Sequence, residues 1–94
     1  MKSLVGMQVE IKPIDIKRGV RKNSCNCPVA RSIRRQFKIP ASRISVGRTS
    51  VLILKGAASV LYNFPASVGR FIDRFDEGQP AKPIAFKIGK EIKL

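Results

Sequence analysis

Between Arg43 and Pro65 the chain reads RISVGRTSVLILKGAASVLYNFP, and this stretch limits the fold more than any other. Three short runs, near Ile44–Val46, Ser50–Leu54 and Ala58–Tyr62, have the residue types of strands. The connections contain Gly47-Arg48 and Gly56-Ala57. Glycine at the first central position suits a type II′ hairpin turn, because it adopts positive φ without steric cost. Strands joined this tightly pair antiparallel, so the middle of the chain is predicted to be a meander.

The flanks supply helices. Pro28 occupies a favoured first helical position, where its missing N–H would have been unpaired anyway, and Cys27 then falls at the cap. Ala30, Ile33 and Phe37 recur on one face, while Arg31, Arg34, Arg35 and Lys38 recur on another. Pro40 forces Ile39 out of helical geometry, so this helix is predicted to stop by about Lys38. A second helix is predicted from Pro65, with Val68, Phe71, Ile72 and Phe75 at i, i+3, i+4, i+7 spacing and Gly78 as its stop.

Toward the ends, Met7, Val9 and Ile11 alternate with Gln8, Glu10 and Lys12, and Ile84, Phe86 and Ile88 alternate with Ala85, Lys87 and Gly89. Both are strand patterns. Pro13 ends the first or confines it to an edge. Asp15 to Ser24 reads as a short turn of helix and an exposed loop.

A chain of 94 residues buries one modest core. The expected fold is a single α+β domain over 1–94, in the order β-α-β-β-β-α-β, with two helices on one face of a mostly antiparallel sheet. Strand–helix–strand units at both ends also suit a ferredoxin-like arrangement.

Charge narrows the partner. Nineteen Lys and Arg against six Asp and Glu give a formal +13, a self-repulsion that a polyanion offsets, nucleic acid first and an anionic membrane surface second. Residues 1–47 hold eleven basic and two acidic residues, and 48–94 hold eight and four, so the partner is expected to meet the first half. The longest aliphatic run is Val51 to Leu54, far short of the roughly 20 residues that span a bilayer. Met1 and Lys2 precede a short mixed segment rather than the apolar stretch of a secretory leader. A reducing cytoplasm is expected, with no membrane partner.

Cys25 and Cys27 lead into the basic helix. A closed zinc site needs four ligands, and the chain has two cysteines and no histidine, so neither metal nor cofactor is expected. A disulfide between residues two apart would be strained, and a reducing compartment opposes it. A helix N-terminus and nearby arginines lower a thiol pKa, yet no histidine can act as base. The preferred reading is a semi-buried cap at Cys27 and a loop residue at Cys25.

Arg31, Arg34, Arg35 and Lys38 have no acidic residue among them, so no i, i+4 ion pair relieves their repulsion. Lys17, Arg18, Arg21 and Lys22 precede them around a glycine. Phosphate-backbone binding, a solvated face and an acidic protein partner all fit such a row, and phosphate binding is preferred. One tyrosine, no tryptophan and no aromatic strand pattern give base stacking little support. Two helices separated by three strands do not make a helix-turn-helix.

Asp73, Asp76 and Glu77 crowd one helix end, where they oppose the helix dipole. An internal ion pair with the N-terminal basic loop is expected to meet them. Catalysis has little to stand on without histidine, a G-x-S-x-G elbow or a glycine-rich phosphate loop. Glu10-Ile11-Lys12 and Glu91-Ile92-Lys93 match only a tripeptide of metal-dependent nucleases, so no enzyme is expected.

The blocks Asp15-Ile16-x-x-Gly19, Cys27-Pro28-Val29-Ala30, Phe71-Ile72-x-x-Phe75-Asp76-x-Gly78-x-Pro80 and Pro83-x-x-Phe86 resemble small uncharacterised proteins of bacteriophages and prophages. The resemblance implies a phage setting, and with it the cytoplasm of a bacterial host cell, and brings no catalytic residue. The expected function is a non-enzymatic phage-type protein that binds DNA or RNA through Lys17, Arg18, Arg21, Lys22, Arg31, Arg34, Arg35 and Lys38. The alternative is an anti-defence, anti-CRISPR-like inhibitor that binds a host protein or ribonucleoprotein complex.

Overall fold

A computed structural model describes residues 3–93. Met1 and Lys2, where the reading of the amino terminus begins, lie outside the described residues. The elements are β1 (Gln8–Glu10), α1 (Pro13–Arg18), α2 (Pro28–Phe37), a 3-10 turn (Ala41–Arg43), β2 (Ile44–Val46), β3 (Ser50–Lys55), β4 (Ala58–Asn63), α3 (Ala66–Asp76), β5 (Ala85–Lys87) and β6 (Glu91–Lys93). The fold is α+β. Its strands form two antiparallel sheets, ordered β2-β3-β4-β6 and β1-β5.

That arrangement corrects the expected element order in two places. Pro13 does more than end a strand: it opens α1, whose first turn is closed by the Asp15 carboxylate accepting the Lys12 N–H at 2.9 Å. The predicted last strand forms as β5, and a further strand, β6, follows it. Residues 85–87 pair with β1, whereas 91–93 pair with β4. Gly89 makes the change of sheet, donating its N–H to the Asn63 carbonyl at 2.8 Å where a Cβ would sit 3.1 Å from that oxygen. A ferredoxin-like arrangement does not form, because its split β-α-β units interleave their strands in one sheet, whereas here β1 pairs with β5 apart from the consecutive β2-β3-β4 neighbours.

The meander forms with one turn as expected and one not. Lys55 pairs with Ala58 across Gly56-Ala57, and Gly56 has φ +60°. At the other hairpin Gly47 N–H bonds the Ser50 carbonyl at 2.8 Å, so Arg48 and Thr49 are central and Gly47 keeps an ordinary φ. Burial decides this register: Val46 pairs with Val51 and both point into the core, and a slip of one residue would turn them outward.

The four-stranded sheet has two unlike faces. Ile44, Val46, Val51, Ile53, Val60 and Tyr62 are buried on one, in a core shared with Val29, Ala30 and Ile33 of α2 and Val68, Phe71 and Ile72 of α3. On the other, Ser45, Leu52, Leu61 and Ile92 form one cross-strand row, with Leu54 opposite Ser59 and Ser50 opposite Asn63.

Both longer helices end by a left-handed residue. Gly78 has φ +77° after α3, and Gln79 N–H reaches back to the Arg74 carbonyl at 2.9 Å, the six-to-one closure that glycine favours. At α2 the same role falls to Lys38, with φ +56° and Ile39 N–H on the Arg34 carbonyl at 3.1 Å. A side chain there is strained by about 1 kcal/mol. Lys38→Gly is therefore expected to raise stability by about 1 kcal/mol in a urea titration, and an unchanged midpoint would show that the turn carries no such strain.

Candidate nucleic-acid interface

The interface is built where α1 packs on α2. Gly19 allows the close approach: a Cβ there would lie 2.7 Å from Cδ and Cγ of Pro28 and 2.8 Å from the Asp15 carbonyl. Asp15, 2% exposed, accepts from Arg35 Nη2 at 2.9 Å, and the same nitrogen donates to the Glu10 carbonyl at 3.0 Å. Beside it, Gln36 donates to the Gln8 carbonyl at 2.7 Å and accepts the Glu10 N–H at 2.9 Å. Arg35 and Gln36 thus bolt α2 to α1 and β1.

Arg35 is consequently not an unpaired charge, contrary to expectation. No acid lies within the helix, but one 20 residues earlier in the chain reaches it through the fold. Arg34 is also partly committed, donating from Nη1 to Asn26 Oδ1 at 2.8 Å and to the Cys25 carbonyl at 3.4 Å, which holds the loop before the helix. Arg31 has no partner among the described residues, and the Nε atoms of Arg31 and Arg34 are buried without one. Lys38 is exposed. These four cations, with Ile39 and Pro40, line one groove of about 420 Å³.

The other four predicted cations lie apart from that groove. Lys17 and Arg18 are exposed on α1. Arg21 and Lys22 are exposed too, but at the acidic end of α3: Lys22 N–H donates to Asp76 Oδ1 at 2.9 Å, and a Cβ on Gly78 would sit 2.9 Å from Arg21 Nη1. The loop therefore does meet Asp76, through its backbone and not through an ion pair. Asp73 is met from elsewhere, by Arg48 of the β2–β3 hairpin, with Nε 2.7 Å from Oδ1. The hydrogen bond from Arg48 holds the Asp73 carboxyl below the usual carboxylate range. Both groups are exposed, so the pair adds little to stability.

No family model, curated protein or solved structure matches the chain. What it does must then be argued from side-chain chemistry.

The cysteines have structural work. Cys27 Sγ accepts the Ala30 N–H at 3.4 Å, capping α2 as expected. Burial pushes its thiol pKa up, against the smaller lowering by backbone hydrogen bonds at the helix start. Burial therefore disfavours an activated thiolate at Cys27. Cys25 donates to the Ile44 carbonyl at 3.2 Å, and both cysteines are free thiols. No described helix is long and apolar enough to cross a membrane.

Proposed function

We propose that the protein binds nucleic acid through phosphate contacts made from the α2 groove, and carries out no chemistry of its own. One observation carries this reading: four cations line a single groove, and Asp15 is the one carboxylate ion-paired with any of them among the described residues. Arg31 and Lys38 are the primary contacts. Arg34 spends Nη1 on Asn26 and has its Nε buried, which leaves Nη2 for a phosphate oxygen. Arg35 divides its charge between Asp15 and the groove. Lys17 and Arg18 extend the positive surface along α1, and Arg21 with Lys22 forms a second, weaker region.

Neutralising roughly 5 phosphates gives a log–log salt slope of about −4 to −5 on duplex DNA. In the full chain carrying both Arg31→Gln and Lys38→Gln, the slope is expected to flatten by about 2, with affinity lost uniformly across sequences and the circular dichroism unchanged. An unchanged slope would sink the assignment. A chain that fails to shift purified DNA or RNA at low salt, yet keeps a protein partner in nuclease-treated lysate, would replace it with the anti-defence inhibitor.

A further inference from the structure

The α2 groove does not end at Pro40. Lys38, Ile39 and Pro40 also line a second groove, of about 300 Å³, which runs on to Arg43 and to Ile53, Leu54 and Lys55 of β3. The two are continuous through the residues they share. Arg43 and Lys55 thus join the four cations of the first groove, and no acidic residue lines either. Arg43 is exposed, with no side-chain partner among the described residues. Lys55 is held in place by Tyr62, whose hydroxyl accepts from its ammonium at 3.2 Å. Lys38 stands where the grooves join, at a φ of +56° that glycine would adopt with less strain. Backbone strain of this kind concentrates at ligand clamps, and here it sets a cation between two grooves. The second groove differs from the first in its wall, where Pro40 and Leu54, the latter 40% exposed, lie over the buried Ile39 and Ile53.

We propose, resting on phosphate binding at α2, that the two grooves form one track for a single strand of DNA or RNA, with Arg43 and Lys55 taking further phosphates and Leu54 and Pro40 meeting an unpaired base. A duplex keeps the faces of its bases in the stack and offers phosphates, which gain nothing from a leucine wall. A single strand brings both parts, phosphates for the cations and base faces to bury on apolar surface. A recess between a helix end and a strand end takes in a nucleotide with its base turned inward, a pose closed to a paired base. No aromatic side chain lines either groove. The base contact is therefore aliphatic, and it adds modestly to an affinity that stays mainly electrostatic.

Fluorescence anisotropy of the full chain with labelled strands of DNA and of RNA, each of about 12 nucleotides, against a duplex of the same length tests this. At matched salt one or both single strands are expected to bind about fivefold more tightly than the duplex, although the duplex is the more densely charged ligand. Arg43→Gln is expected to flatten the single-strand salt slope by about 0.7, the share of one phosphate. Leu54→Asn, at an exposed strand position, is expected to weaken single-strand binding about threefold, with the slope and the duplex affinity unchanged. Equal or tighter binding of the duplex overturns the proposal. So does either variant, folded by circular dichroism, that binds the single strand as the parent does. If Arg31→Gln with Lys38→Gln flattens the slope in that case, phosphate binding at α2 stands and only its continuation toward β3 falls. If the parent chain binds no nucleic acid, both fall.

Discussion

Arg35→Ala is expected to lose about 3–5 kcal/mol of stability, the usual cost of stripping a buried carboxylate of its ion-pair partner. Asp15 is 2% exposed and would keep only the Lys12 N–H. The same change frees the Glu10 carbonyl, so β1 loses an anchor as well. A domain of this size holds roughly 5–15 kcal/mol in all. The variant should therefore unfold at markedly lower urea, with Arg35→Lys intermediate because an ammonium keeps the charge but not the donor fork. A loss under about 1 kcal/mol would show that the 36% exposure of Arg35 makes the pair behave as a surface one. The prediction also governs how binding is measured: reversing Arg31, Arg34 and Arg35 together would confuse unfolding with lost affinity, which is why Arg31 and Lys38 are the pair to neutralise.

Gly19→Ala is expected to lose about 2–3 kcal/mol, at the upper end of what an added methyl costs in a packed site. Its φ of −67° suits any residue, so the penalty is contact alone. The methyl would meet the Pro28 ring and the Asp15 carbonyl at 2.7 to 2.8 Å, and neither is the free end of a flexible side chain. Relief requires α1 to move off α2, which would also stretch the Asp15–Arg35 contact. Amide exchange in α1 should quicken together with the fall in the urea midpoint. A loss below about 0.5 kcal/mol would mean that the corner between the helices yields freely.

Periodicity carried the reading of the meander and of α2 and α3, because spacings of two, three and four report which side chains share a face. It could not report partners distant in the chain. Arg35 looked unpaired since no acid lies within a helical turn of it, while Asp15 arrives only after α1 folds back over Pro28. The Pro13-x-Asp15 spacing, an acid in the first turn after a helix-starting proline, was a legible sign of α1 and so of an anchored carboxylate. The sixth strand was hidden for the same reason: Glu91 to Lys93 is too short to show a period, and its place beside β4 is set by residues distant in the chain. Within the site, the α2 row was legible as one face, but the departure of Arg21 and Lys22 toward α3 was not, because loop residues carry no periodicity.

The Gln36 side chain has a consequence for how the molecule behaves in a crowd. Two-stranded ribbons leave each outer edge with unsatisfied backbone groups, a template on which foreign strands can grow. On β1 the amide of Gln36 meets the Gln8 carbonyl and the Glu10 N–H as a neighbouring peptide would, and the Arg35 guanidinium takes the Glu10 carbonyl. The helix thus supplies an imitation strand made of side chains, which occupies those three groups before a foreign strand can.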